Sequence, residues 1–292
     1  MPEIQTADQL QDTDSELYGF SLMDYSGLRA LQCPDAYRRP FALSNNPECV
    51  TVIGSYISPF VRKVLVCLHV KAVEYEIDPI VPYCGTDAFT RLNPRRQVPV
   101  LIDRGNVITD SAGICAYLDG FVGPPLLPAD AASRRRDIEL QVFSDQTLGR
   151  LIVYGLFQQL VLNRYVWQRP TDESRVAILL EREIPAALDW LEEHWATANE
   201  SRSALRLPDI AIAAMFRTAA LARYSIDAER WPASAARVQG AWAQPEFSRL
   251  VPFENLSMQT PYPRHREVLA AAGAHLTSVT LGDNTPRRPP AP

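Results

Sequence analysis

The sequence predicts two parts, an α/β domain built on a mixed sheet and an all-α domain after it. Three observations carry this. From Cys49 to Phe121, apolar runs of strand and helix period follow the order β-α-β-α-β-β-α. Residues 119–131, "DGFVGPPLLPADA", then break the pattern with Gly and Pro. Beyond them come long helical periodicities and no convincing strand. A β-α-β unit followed by a hairpin and a helix implies a mixed sheet covered by helices.

Taken in order, "CVTVIG" is a short apolar strand bounded by Gly54. "PFVRKVLVCLHVKA" repeats Val61, Val64, Leu65, Leu68 and Ala72 at helical spacing. "VEYEIDPI" alternates like a strand, and "GTDAFTRLNP" is a short helix ended by Pro94. "VPVLIDRGNVITD" predicts two strands joined at a tight "RGN" turn, and "SAGICAYLDGF" an amphipathic helix. In the second part, residues 133–166 predict one long helix, with Gly149 a candidate bend. Further helices are expected in "DESRVAILLEREIPAALDWLEEHWATA", "PDIAIAAMFRTAALARYS" and "RWPASAARVQGAWAQ", the last stopped by Pro245. The expected divisions are an extension at 1–48, the α/β domain at 49–120, a linker at 121–131 and the helical domain at 132–256. A C-terminal extension at 257–292 follows, whose proline-rich end "LGDNTPRRPPAP" is expected to be disordered.

Composition narrows the function. The chain has 292 residues, 47% hydrophobic and 22% charged, with net charge −5. This is the profile of a soluble globular protein, with nothing that argues for a nucleic-acid partner. No apolar run approaches a membrane span, and the acidic start lacks the apolar core of a secretory signal. Five scattered cysteines without a C-x-x-C favour reduced thiols and a cytoplasmic location. Four scattered histidines give no metal-ligand cluster. Lys63 and Lys71 are the only lysines, a rarity that reads as coding bias.

Three places offer chemistry. In "SYISPFVRK", Pro59 suits the first helical position and Ser58 the cap before it. That helix start serves either as a plain cap or as a site where free N–H groups and the hydroxyl stabilise an anion such as a thiolate. In "RRQVPVL", Val98-Pro99 enters a strand. It is either an ordinary trans proline or a cis bond that leaves the Val98 backbone facing a ligand. In "TDSAGI", Asp110 and Ser111 open a helix, either as an N-cap or as a pair suited to a zwitterion.

Together with "LPDIAIAAMF", these stretches resemble the glutathione transferase family over roughly Cys49 to Leu256, in its cytosolic, serine-type, bacterial-like form. The resemblance implies a thioredoxin-like N-terminal domain that binds glutathione. It places Ser58 at the position that activates the thiol, with Tyr56 second and Ser55 third. Phe60, Gln97, Val98, Pro99, Asp110 and Ser111 would complete the glutathione site. Val98 would pair with the cysteinyl part and Asp110 and Ser111 would hold the γ-glutamyl end, while Gln97 would reach the glycine carboxylate. The family's basic residue near the second helix has no clear counterpart in "YCGTDAF", which leaves Arg95 or Arg96 as its substitute. Asp209 matches the acidic position of a helix-start packing motif, but Arg206 stands where a small polar cap is usual. Tyr154, Phe157, Gln158 and Val161 are the candidate lining of a pocket for an apolar electrophile, or else domain core. The loop with Tyr165 and Trp167 would cover it.

The resemblance implies a glutathione transferase that acts as a homodimer on a hydrophobic small molecule. The alternatives are a glutathione-dependent isomerase or lyase, and a non-catalytic binding protein on the same fold. No cysteine occupies the Ser58 turn, so the reactive thiol would come from bound glutathione. Cys67 and Cys115 are expected in core, and Cys84 in an exposed loop.

Overall fold

The computed structural model describes residues 31–32, 49–121, 123–196 and 205–287, with only the backbone of 31–32. Strand β1 is Leu31–Gln32, β2 Val50–Ile53, β3 Tyr75–Asp78, β4 Val100–Asp103 and β5 Asn106–Ile108. Helix α1 spans Pro59–Val70, α2 Asp87–Leu92 and α3 Ser111–Asp119. From Cys49 onward the order is the one the sequence predicts. The sheet runs β1-β5-β4-β2-β3, with β2 parallel to β3 and antiparallel to β4. The hairpin turns on Arg104 (φ 47°) and Gly105 (φ 81°), the two positive angles that match strand twist. One strand was not expected. β1, inside the N-terminal extension, pairs with the far edge at Leu31↔Val107 and Gln32↔Asn106.

The helical part begins with α4, Ala131–Phe143, which continues without a break into a π-type segment, Ser144–Val166. Its wider turn shows where Trp167 N–H donates to Leu162 O at 2.9 Å, a five-residue step. Helix α5 (Glu173–Ile178), a second π-type segment (Leu179–Glu183) and α6 (Ile184–Ala196) form the next continuous run. Then come α7 (Leu207–Leu221), α8 (Pro232–Ala243), α9 (Pro245–Ser248), α10 (Val251–Gln259) and α11 (His265–Ala271). Pro245 does end α8, but it also opens α9 as its first residue, where its missing N–H costs nothing. At α7, Asp209 Oδ2 accepts the Arg206 N–H at 3.2 Å, which is half of a capping box. The reciprocal bond fails because a guanidinium has no acceptor.

The two parts share a core cluster. A single cluster joins Val61, Val64, Leu65 and Leu68 of α1 to Ile210, Ala213 and Ala214 of α7 and to Phe247 and Leu250. The linker is part of that core, with Leu126 and Leu127 buried. Leu126 O accepts from Leu207 N at 2.9 Å, and Lys71 Nζ donates to Asp119 O and Phe121 O, each at 3.1 Å.

The C-terminal extension departs most from expectation. After α11 the chain returns to the sheet. Ile77 N–H donates to His275 O at 2.8 Å, and Thr277 N–H donates back to Ile77 O at 3.1 Å. Residues 281–287, expected in a disordered tail, are instead bonded to the α/β part. Leu281 is 4% exposed, in a cluster with Ile53, Ile80, Phe89 and Val100. Residues 288–292 of the same tail, and the rest of the 1–48 extension, lie outside those described.

Candidate functional site

The site grows from the turn between β2 and α1. Gly54 has φ 147°, and a side chain there would collide with Val61, while a Cβ would sit 3.0 Å from the Val98 Cβ. Only glycine lets strand end, helix start and the Val98 loop converge this closely. Ser58 caps α1, its Oγ accepting the Val61 N–H at 3.4 Å, and Pro59 follows as the first helical residue. Ser58 is half-buried, and α1 carries no acidic residue in its first turn, so its partial positive charge is uncompensated.

The Val98-Pro99 bond is cis. Among the described residues no hydrogen bond is made by the Val98 N–H or C=O. Gln97 O accepts from Asn93 Nδ2 at 2.8 Å, which fixes the approach to Val98. At the start of α3, Asp110 Oδ1 accepts from Ala112 N at 2.9 Å and Gly113 N at 3.2 Å, with the aspartate exposed and Ser111 beside it 7% exposed. Helices α1 and α3 pack together, so their N-termini carry Ser58 and the Asp110–Ser111 pair on neighbouring elements.

Other candidates move. Tyr56 is 2% exposed, its ring stacked on Phe253 at 5.0 Å and its phenol pushed well up by burial, so it belongs to the core. Ser55 is buried too, its Oγ accepting the Ile57 N–H at 3.3 Å inside the turn. The Phe60 ring packs on the helical part, with Cζ 3.4 Å from where a Gly149 Cβ would be, so Phe60 is interdomain packing. Phe157 is 5% exposed and in core, whereas Tyr154 is 51% exposed. α-Helical spacing puts the four pocket residues on one face, and the wider π-type turn separates them. Val161 packs half-buried against the helical core, and Gln158 Nε2 donates to Asn163 Oδ1 at 2.7 Å. Cys84, expected in an exposed loop, is 1% exposed and pushed up to about 11 by burial. Cys67 and Cys115 are fully buried, as expected.

Arg96 is engaged, donating through Nη2 to Pro82 O (3.1 Å) and Gly85 O (2.8 Å) and through Nη1 to Thr90 Oγ1. Arg95 is exposed, and its charge opposes the desolvation that raises the Tyr154 phenol. Tyr83 meets Trp167 edge-on at 5.2 Å, linking the two parts.

Residues missed in the sequence hold the turn. Arg62 is fully buried and donates from Nη2 to Tyr56 O (3.2 Å) and Ile57 O (3.4 Å), and from Nη1 to Ala214 O (2.9 Å). Its Nε meets the buried Glu254, which also takes Arg217 at 2.6 Å. Lys63 Nζ donates to both Asp145 oxygens at 2.8 and 2.6 Å. Burial pulls the Lys63 pKa down, but the Asp145 carboxylate, with Cys115 and Asp110 nearby, holds the ammonium above its ordinary value. Two cations inside an otherwise apolar helix period were the available signal. Among the described residues no group of three or more His, Cys, Asp or Glu could hold a metal, and no helix is long and apolar enough to cross a membrane.

Comparison with known proteins decides the family. The GST-like protein YibF of Escherichia coli K12 is 31% identical over 165 residues, 56% of this chain and 78% of that one. The chain belongs to the glutathione S-transferase family. Residues 57–120 match the family's profile "Glutathione S-transferase, N-terminal domain". Glutathione S-transferase Z1 of Arabidopsis thaliana is 27% identical over 217 residues, covering 72% of this chain and 94% of its own. A glutathione S-transferase structure from Rhodospirillum rubrum F11 superposes with TM-score 0.61 at 24% identity, over 69% of this chain and 91% of that one. The glutathione S-transferase fold thus accounts for both the thioredoxin-like and the helical part.

Proposed function

We propose that this glutathione S-transferase-family enzyme uses Ser58 to stabilise the thiolate of glutathione, its co-substrate. The observation that carries the reading is the convergence at Gly54, where the α1 start lies beside a Val98 backbone that makes no hydrogen bond among the described residues. Two main-chain groups in that position suit the cysteinyl amide of a tripeptide. The Ser58 hydroxyl would then release Val61 N–H in part and donate to the sulfur, while the helix N-terminus adds positive potential. Asp110 keeps Oδ2 for the γ-glutamyl ammonium, and Ser111 takes its carboxylate. Gln97 and Arg95 are assigned to the glycine end, since Arg96 is committed elsewhere.

We place the electrophile between Tyr154 and Arg95, under the Tyr83–Trp167 contact. Glutathione-dependent transfer and isomerisation share the same thiolate, and both fit this half-site. A homodimer, the usual family assembly, suits the exposed apolar residues Ile138 (42%), Ile178 (41%) and Leu180 (37%).

The test is the ultraviolet absorbance of bound thiolate as a function of pH. A hydrogen bond to a charged group contributes about 1.5–3 kcal/mol, so Ser58→Ala should raise the bound thiol pKa by roughly 1–2 units. Tyr56→Phe should leave it unchanged. A Tyr56→Phe shift with none from Ser58→Ala would overturn the assignment. Failure of the wild type to bind glutathione would overturn the function.

A further inference from the structure

The sequence divides glutathione recognition among residues 58–111, yet the loop that leads to Gln97 and Val98 is not held by its own domain alone. We propose that the C-terminal segment 274–287 is a positioning element of the glutathione half-site. This inference rests on the glutathione reading above.

The segment begins where Gly273, at φ 89°, turns the chain after α11. It then lies along the open edge of β3 through the paired bonds at Ile77, which covers a strand edge that would otherwise be free to pair elsewhere. At the end of β3, Asp78 is fully buried. A buried carboxylate is costly unless its lone pairs are filled. Its hydrogen-bond donors are Leu281 N (2.7 Å), Thr280 Oγ1 (2.8 Å) and Arg266 Nη1 (3.0 Å). All three come from the segment or from α11. Asp78 is therefore built to receive this segment, which explains a buried acid that neither the core nor the candidate site needs.

From that anchor the contacts lead to the site in three steps. Leu281 O accepts from Thr86 N (2.8 Å) and Thr86 Oγ1 (2.9 Å), and Thr86 is the N-cap of α2. Asp283 N donates to Cys84 O (2.8 Å), Arg287 N donates to Tyr83 O (2.7 Å), and the Arg287 guanidinium pairs with Asp87. These bonds fix the loop 82–87 from outside. The carbonyls of Pro82 and Gly85 in that loop then take Arg96, which adopts φ 51°, a strained angle for a non-glycine residue. The next two residues are Gln97 and Val98, assigned above to glutathione. Tyr83 also carries the contact to Trp167 of the helical part. Loss of the segment would free loop 82–87, then Arg96, and so shift the backbone that faces the tripeptide.

The test uses Leu281→Ala and Arg287→Ala in the full chain, with Leu281→Met as the conservative control. None of these residues is among those assigned to glutathione. Steady-state kinetics with 1-chloro-2,4-dinitrobenzene would give separate KM values for glutathione and for the electrophile, with circular dichroism to monitor folding. Misplacement of about 1 Å at a binding site weakens function by up to roughly a hundredfold, so the KM for glutathione should rise by about tenfold or more in Leu281→Ala. Arg287→Ala should move it the same way by less, and Leu281→Met should restore it. The kcat at saturating glutathione and the electrophile KM should stay within about twofold. A merely structural role would instead lower the active fraction, so that kcat falls and the glutathione KM stays put. An unchanged glutathione KM in Leu281→Ala, with kcat kept or lost, overturns the inference while the glutathione reading stands. A wild type that ignores glutathione takes down both.

Discussion

His265 is 4% exposed, with Nε2 bonded to Thr260 O at 2.9 Å, and burial holds its pKa below 6.5. His69, bonded to Glu246 O at 2.7 Å and Tyr75 at 3.2 Å, is lowered for the same reason. In both cases the unfolded chain binds the proton first as pH falls through 6.5. Stability is then full above that pH and is lost on acidification below it. Thermal melts should therefore show a falling midpoint between pH 7 and about 5.5. His265→Gln should flatten that slope even if it lowers the midpoint at pH 7. An equal slope in the variant would exclude His265 as a source. The same scale shows what a sequence conveys about single residues. Ser58, Asp110 and Ser111 were legible because an N-cap is a local feature, set by the next three N–H groups. Tyr56 was not, since the turn that sets Ser58 as the cap of α1 points Tyr56 into Phe253, a neighbour 197 positions away in the chain. The two lysines carry a structural task that composition alone does not show. Both are buried and tie elements together, Lys63 to Asp145 and Lys71 to the carbonyls of Asp119 and Phe121 at the end of α3.

Elements were legible where their own period defined them. The seven elements from β2 to α3 emerged because strands, turn glycine and caps are encoded within a few residues. β1 and the segment on β3 did not, because edge pairing depends on a distant partner and leaves no period behind. The π-type segment hid for another reason. Its apolar spacing passes for an α-helix, while the five-residue hydrogen-bond step turns Phe157 into core and leaves Tyr154 outside. Helix α10 straddles the expected domain end at 256 without a period of its own to mark it, yet it carries Glu254, the buried partner of Arg62 and Arg217. Removing one member of a buried ion network leaves uncompensated charge and costs about 3–5 kcal/mol. Glu254→Gln should therefore lower the denaturation free energy by that order, more than Glu267→Gln, whose partner Arg264 is exposed. Equal losses from the two variants would show that Glu254 does not anchor α1. Arg62 also grips the Tyr56 and Ile57 carbonyls, so Glu254→Gln should in addition weaken glutathione binding.

At the scale of the molecule, the division at 121–131 is one of chain, not of core. Helix α1 starts the candidate site, yet its Phe60, Arg62 and Lys63 all fasten to the helical part, and its apolar face shares a cluster with α7. Two domains with separate cores and a loose linker would unfold in two steps. A core that runs through both, closed at the far side by residues 274–287, makes a single transition the expected outcome although the chain is long for two-state behaviour. The sequence supplies two independent reporters. All five tryptophans, from Trp167 to Trp242, lie in the helical part, and all five cysteines, from Cys33 to Cys115, lie before it. Of the cysteines, Cys67, Cys84 and Cys115 are at most 1% exposed and become reactive only when the α/β part opens. Tryptophan emission and brief pulses of thiol labelling, followed across the same urea series, should give coincident midpoints. A labelling midpoint clearly below the tryptophan midpoint would mean that the α/β part opens alone, and that α1 does not join the two halves into one cooperative unit.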